Sequence, residues 1–343
     1  MATKPVASVI LPYRNSGSTL SRCIESIMNQ DLGQWELLAV NDHSDVHSIK
    51  ILEEFSRADQ RIHLINSCEK GISACLNSGI MNARSDIIIR MDSDDVMKPS
   101  RIREQVKFLK DNSDIGLIGS KVTYVVEKNS LIDGRGYASY VEWLNGIVSC
   151  KEIEINQFEE SPFAHPSVAF RKSLVDKYGG YKEGDFPEDY ELWLRWLSKG
   201  VKMQKLQSNL LDWYDSKNRL SRQDKRYSRN AFQYVKAIYL SLWLKKEKFS
   251  CKKVSAWGAG KVARKQIRHL LNQEIKISRF YEVDPKKIGL NYQGSPICSI
   301  DEISKANNEI ILVLYGNRDA KKKILKFMNE RNLRQGDDFL FLS

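Results

Sequence analysis

The chain has 343 residues, 42% of them apolar and 28% charged, and a formal net charge of +11. That length suits two domains, and the composition is that of an ordinary globular protein. No apolar run approaches the roughly 18 residues that a helical membrane span needs, so none is expected.

The apolar start over residues 6–11 is too short to read as a signal peptide. Six cysteines, Cys23, Cys68, Cys75, Cys150, Cys251 and Cys298, show neither C-x-x-C pairing nor metal spacing. Reduced thiols in a cytoplasmic protein are expected.

Residues 6–11 read as a buried strand that ends at Pro12-Tyr13-Arg14-Asn15. Behind Gly17-Ser18-Thr19, the apolar residues Leu20, Cys23, Ile24, Ile27 and Met28 have helical spacing. A second strand over 35–40 ends in Asn41-Asp42-His43-Ser44. A helix over 49–55, a short strand over 62–65 and a helix over 71–83 follow. The apolar strand 87–90 then delivers Met91-Asp92-Ser93-Asp94-Asp95. Three carboxylates so placed are costly unless a cation sits between them. Mg²⁺ or Mn²⁺, shared with substrate phosphates, suits such a cluster. The plain alternative is a solvated acidic turn that caps the helix over 99–110. Strand and helix alternate throughout, which predicts an α/β fold with a mostly parallel sheet and helices on both faces. Ligands bind such sheets at the carboxyl ends of the strands. Tyr13, Asp42 and the acidic cluster all fall there, which favours the site over the cap.

A strand over 116–126, helix over most of 137–158 and a strand over 163–171 come next, the last introduced by His165-Pro166. Glu188 and Asp189 stand at the start of a helix over 191–197, where a dipole interaction of roughly 0.3–1 kcal/mol is the plain reading. A strand over 199–214 closes a first domain, 1–216. The stretch 217–252 reads as a basic helical linker. From Lys217 to Lys253 there are twelve lysines and arginines against two acids, Asp224 and Glu247. The plain reading of such a run is a solvated face, but this concentration favours an anionic partner: nucleic acid, an acidic membrane surface or a phosphate-rich substrate. The rest, 253–343, reads as a Rossmann-like domain. A strand over 254–257 runs into Gly258-Ala259-Gly260-Lys261-Val262-Ala263, a G-x-G-x-x-A turn, and a second strand ends near Asp284, where a ribose-binding acid would lie. An NAD(P)-binding oxidoreductase or sensor is the competing functional class. The glycines also serve a merely tight turn.

Residues 6 to about 214 resemble a family 2 glycosyltransferase of the GT-A fold. The matching elements are Val9 to Asn15, Val40-Asn41-Asp42-His43-Ser44, Gly71 to Gly79, Asp92-Ser93-Asp94, His165-Pro166-Ser167 and Glu188-Asp189-Tyr190-Glu191-Leu192-Trp193. Leu76 departs from the pattern, since many members carry Arg before the Asn. The resemblance implies that Pro12, Tyr13, Asn15, Asp42 and Asn77 hold a UDP-sugar, with Asp42 on the uracil. Asp92 and Asp94 would bind the ribose and the Mn²⁺ or Mg²⁺ on the diphosphate, with Ser93 also on the nucleotide-sugar. His165 would contact the metal or the diphosphate, its plain reading being a strand-entry histidine with a satisfied hydrogen bond, and Asp189, beside Glu188, would be the general base of an inverting hexosyl transfer. Arg171 or the loop of Arg219 and Arg222 would cover the diphosphate. The tail is similar to that of queuosine-tRNA galactosyltransferases and of uncharacterised bacterial relatives. It implies a tRNA acceptor met by Arg222, Lys225, Arg226 and Arg229, with UDP-galactose as one donor. The competing acceptor is a lipid-linked or surface polysaccharide such as O-antigen, with the chain cytoplasmic and peripheral to a membrane. Homo-oligomerisation is left open.

Overall fold

The computed structural model describes residues 4–126, 134–216, 219–315 and 318–342. Two compact units divide the chain, Met1–Ile153 with Pro162–Tyr227, and Glu154–Ser161 with Ser228–Ser343. The expected linker 217–252 is therefore shared out, and its long helix goes with the second unit. Lys217, at the head of the basic stretch, lies outside the described residues.

The first unit holds strands β1 (Ala7–Tyr13), β2 (Trp35–Asn41), β3 (Ile62–Asn66), β4 (Ile87–Arg90), β5 (Val96–Met97), β6 (Ile115–Val126), β7 (Ala169–Arg171) and β8 (Lys202–Asp215). They form one sheet in the order β3-β2-β1-β4-β7-β6-β8-β5. The β3-β2-β1-β4 half is parallel. Every residue of β1 and of β4 is buried, because helices cover both faces of such a sheet. Strand β7 runs antiparallel to β4 and to β6, which makes the sheet mixed. The helices are α1 (Leu20–Met28), α2 (Val46–Ala58), α3 (Ile72–Asn82), α4 (Arg101–Asp111), α5 (Arg135–Gly146), α6 (Cys150–Asn156, from Glu154 on counted with the second unit), α7 (Ser173–Tyr178), α8 (Glu188–Ser198) and α9 (Leu220–Gln223). Helix α1 buries Leu20, Cys23, Ile24 and Ile27, the stripe that its spacing predicts.

The strand expected over 163–171 is shorter. His165–Ser167 is a 3₁₀ turn, since Pro166 has a fixed φ and no N–H to give a ladder. Helix α8 is the most deeply buried helix of the site. Tyr190, Trp193 and Trp196 on it are fully enclosed, and Trp193 meets Phe163 and Trp196 edge-on. Burying each such ring stabilises the fold by about 1.5–3 kcal/mol. Arg195 clamps the other side, with Glu191 at 3.0 Å and the Gly179 carbonyl at 2.9 Å.

The second unit has strands β9 (Lys253–Trp257), β10 (Ile277–Glu282), β11 (Asn291–Tyr292), β12 (Ser295–Ser299), β13 (Glu309–Leu314) and β14 (Phe339–Leu342), with helices α10 (Arg229–Leu244), α11 (Lys261–Leu271) and α12 (Arg318–Glu330). The sheet order is β11-β12-β10-β9-β13-β14, and all but β11 are parallel. The strand–turn–helix reading of 253–343 holds, while the β11–β12 hairpin lies where no strand was expected. Buried Glu159 ties residues 154–161 to this unit by accepting from Lys321 at 2.6 Å and from the Tyr315 hydroxyl at 2.5 Å.

Candidate active site

Strands β1, β2 and β4 end side by side, with Tyr13 paired to Asn41 and Ile10 to Arg90. Their following loops interlock. Asn15 sits at φ 50°, an αL turn that Asn tolerates. Its N–H donates to Ser44 Oγ at 2.7 Å, and its Oδ1 accepts from Asp45 N at 2.9 Å. Both polar ends named here thus serve the loop. Pro12 and Tyr13 are buried in the last residues of β1. Asp42 Oδ1 accepts from Gly71 N at 2.8 Å. Gly71 stands at φ 124° as the N-cap of α3, a conformation that side chains rarely adopt. Arg14 Nη1 lies 3.9 Å from Asp42 Oδ2.

The acidic loop packs against these two. Ser93 Oγ and Ser16 Oγ are 2.8 Å apart, and Arg22 Nη2 donates to the Asp94 carbonyl at 2.9 Å. Carboxylate oxygens of Asp92, Asp94 and Asp95 all lie within 4.8 Å of one another. The loop does not cap the next helix. Ser100 is the N-cap of α4, and Asp95 turns inward to accept from Tyr214 N at 2.8 Å. The cap reading is thereby excluded. Burial and the Asp92 charge push Asp94 up to about 6, and burial with the Asp94 and Asp92 charges holds Asp95 well above the ordinary carboxylate range.

Two cations answer the cluster, and neither was foreseen as a part of it from the motifs. Arg90, 2% exposed, donates to Asp92 Oδ1 at 2.6 Å and to His165 Nε2 at 3.3 Å. Arg101, fully buried, donates to the Arg90 carbonyl at 2.8 Å. An arginine inside the apolar run Ile87-Ile88-Ile89-Arg90 was the available signal. Arg219 packs 4.4 Å over the Trp213 ring and is held charged by Asp95 and Asp94. Arg171, the other diphosphate candidate, spends its guanidinium on the carbonyls of Ile115, Leu109 and Asn112.

His165 is not in the carboxylate cluster. Its Nε2 takes the Arg90 bond and lies 2.8 Å from the Tyr181 hydroxyl. Burial and Arg90 hold the ring well below its ordinary pKa, so it is neutral. Asn77 spends both ends of its amide on Tyr181, donating to its carbonyl at 2.8 Å and accepting from its N–H at 2.9 Å. Asn77 is thus joined to Tyr181, and His165 to Tyr181 and to Arg90, whose guanidinium reaches Asp92.

Glu188 and Asp189 occupy the first turn of α8. Glu188 accepts from the Tyr227 hydroxyl at 2.7 Å and lies 4.0 Å from His165 Nδ1. Tyr227 carries no motif and was missed. Burial, and then the Glu188 charge, push Asp189 up to about 7. The Asp92 charge adds to the same rise.

The basic candidates are largely spent. Arg222 forms a bidentate pair with buried Asp215, at 2.5 and 3.1 Å. Arg226 pairs with Asp224 at 2.8 Å, and Lys225 lies 3.2 Å from exposed Asp185. Arg229 belongs to the other unit.

The G-x-G-x-x-A turn of the second unit is filled from within. Glu282, not Asp284, is the acid that meets it. Its Oε2 accepts from Ala259 N at 3.1 Å and from Lys287 at 3.3 Å. Its Oε1 takes the N–H of Val283 at 2.9 Å. Asp284 closes its own turn on Lys286 N at 3.1 Å. The amide that a dinucleotide phosphate would use is already taken.

The model of the family described as Glycosyl transferase family 2 matches residues 8–179, half of the chain. The O-antigen biosynthesis glycosyltransferase WbnJ of Escherichia coli is 29% identical over 209 residues, 60% of this chain and 78% of that one. A UDP-Gal:alpha-D-GlcNAc-diphosphoundecaprenol beta-1,3-galactosyltransferase of Escherichia coli is 27% identical, covering 64% of this chain and 77% of its own. Among solved structures, S. aureus TarS 1-349 in complex with UDP-GlcNAc superposes with a TM-score of 0.54 at 15% identity, over 78% of this chain and 72% of that one. This last likeness is one of fold, and Asp189 lies beyond the matched 8–179. With its acidic loop at the carboxyl ends of a GT-A sheet, the chain belongs to glycosyl transferase family 2 and is a glycosyltransferase.

Proposed function

We propose that this chain is an inverting, metal-dependent transferase that moves a hexose from a UDP-sugar to a hydroxyl of a saccharide acceptor. One observation carries it. Asp95 Oδ2 and Arg219 Nη1 are both buried without a hydrogen-bond partner among the described residues, beside two further carboxylates. A buried charge so left costs several kcal/mol unless a ligand completes it. A divalent cation with a diphosphate has the charges that this set lacks. Asp92, Asp94 and Asp95 would hold Mn²⁺ or Mg²⁺, which when bound neutralises charge on the departing diphosphate. Pro12, Tyr13 and Asp42 would receive the uracil, and Arg219 would face the diphosphate.

Asp189 is the base of the reaction. Its raised pKa makes it a stronger proton acceptor than an ordinary carboxylate once ionised. The acceptor oxygen bonds to the anomeric carbon, the bond from that carbon to the diphosphate oxygen breaks, Asp189 takes the hydroxyl proton, and UDP leaves. One base and no protein nucleophile give inversion. Glu188, engaged by Tyr227, sets the charge beside Asp189 and is the lesser candidate for proton transfer.

The saccharide acceptor draws support from the relatives named for O-antigen and diphosphoundecaprenol chemistry. The tRNA reading has less to stand on, since Arg222 and Arg226 are already paired. The test is a screen of UDP-galactose, UDP-glucose and UDP-GlcNAc for Mn²⁺-dependent release of UDP by the full chain. Release from one donor, lost in Asp94→Ala, is expected. Release that ignores Mn²⁺, or none from any donor, would overturn the reading.

A further inference from the structure

We propose that helix α10 of the second unit docks this protein in the headgroup plane of an anionic lipid bilayer. Between Arg229 and Lys245 the helix has one charged residue, Lys236. That residue is buried and donates to the Glu159 carbonyl at 2.6 Å. The solvent side of α10 is therefore without charge. It presents Tyr234, 46% exposed, and Leu242, 49% exposed, with half-buried Ile238 between them. Spacing of four residues aligns the three on one side. The opposite side, Val235, Tyr239, Leu240 and Trp243, is already buried, so the outer stripe is not spare core.

The charge of the molecule points to the occupant. Residues 228–343 carry 23 lysines and arginines against 11 acids. The helix is bracketed by exposed Arg229 and Lys245. Five of the eight large exposed hydrophobics of the described residues, Tyr234, Leu242, Val262, Val283 and Leu290, also lie in this unit. An apolar stripe with a tyrosine, ended by basic side chains, is the signature of a helix lying in a membrane interface. Nucleic acid fits less well, because Ile238 and Leu242 neither stack on bases nor bond to phosphate. A second copy fits less well too, because three side chains fall far short of the roughly 800 Å² per partner of a stable interface. No helix of the described residues is long and apolar enough to cross a membrane, so the docking is peripheral.

This docking does not depend on the acceptor or on the donor. The full chain is sedimented with vesicles of phosphatidylcholine alone and of phosphatidylcholine mixed with phosphatidylglycerol, without substrate. Binding to the mixed vesicles and weak binding to the neutral ones are expected. Tyr234→Ser with Leu242→Ser should lower the partition coefficient about tenfold or more, the worth of one withdrawn leucine side chain. Circular dichroism of the double variant should match that of the wild-type chain. Absence of vesicle binding by the wild-type chain overturns the proposal, as does a variant that binds undiminished. A salt-labile complex with bulk tRNA in place of vesicle binding overturns it equally, as does a dimer in light scattering that the variant abolishes.

Discussion

Both units place a loop at the carboxyl end of a parallel strand, and the two loops have opposite fates. In the first, Asp92, Asp94 and Asp95 crowd together while Asp95 Oδ2 and Arg219 Nη1 are buried without a hydrogen-bond partner among the described residues. In the second, Glu282 fills the turn at Ala259 and is itself neutralised by Lys287. Position in an α/β sheet is therefore not enough to make a site. What distinguishes them is whether the protein satisfies its own buried polar groups. The loop that does not do so is the one to which we assign the ligand.

The comparison breaks most readily at Asp94. Asp94→Ala should lower kcat by about 10³-fold, the scale on which charge stabilisation of a leaving group is lost. Measured UDP release in saturating donor and Mn²⁺ would show it, and activity within tenfold of wild type would remove the acidic loop from the chemistry. Next is Asp189→Asn, for which kcat should fall by about 10²-fold or more. UDP affinity, read by calorimetry, should stay within about twofold, because the change keeps shape and removes only the base. Equal losses in both readouts would make Asp189 part of the donor site instead.

A pH profile sharpens the same point. Asp189 is raised to about 7, and only its ionised form accepts a proton. Below that midpoint kcat should fall about tenfold per pH unit, and above it the profile should level. A profile flat from pH 5 to 8 would contradict the assignment. Asn77→Ala should act more gently. It removes two hydrogen bonds to the Tyr181 backbone, each worth about 0.5–1.5 kcal/mol. The expected result is a lower Tm with kcat reduced less than in Asp189→Asn. Smallest of all, Glu282→Gln should leave transfer unchanged, and the wild-type chain should show no NAD(H) binding signal at millimolar cofactor. Tight NAD(H) binding would end the contrast between the two loops.

Much of the first unit was legible. Strands 35–40 and 87–90 and the stripe Leu20, Cys23, Ile24, Ile27 are local patterns, and burial on both faces of a parallel sheet writes them plainly. The acids Asp42, Asp92, Asp94 and Asp189 were visible because carboxylates at strand and helix ends stand out against apolar flanks. Their partners were not. Arg90, Arg101 and Tyr227 are ordinary residues whose significance comes from contacts across 11 to 75 positions of sequence. For the same reason the bonds of His165 Nε2 to Arg90 and Tyr181, and of Asn77 to the Tyr181 backbone, were not foreseen. Strand β5 is two residues long, and no periodicity can announce it. Charge counting over the basic run does not show that Arg222 and Arg226 pair with Asp215 and Asp224.

The central claim is that the acidic loop binds a divalent cation together with the nucleoside diphosphate. Calorimetric titration of UDP into the full chain, with and without Mn²⁺, tests it most directly. UDP binding that requires Mn²⁺ and disappears in both Asp92→Ala and Asp94→Ala is the predicted result. Equal UDP affinity in the presence and absence of Mn²⁺, unchanged in those variants, would contradict it.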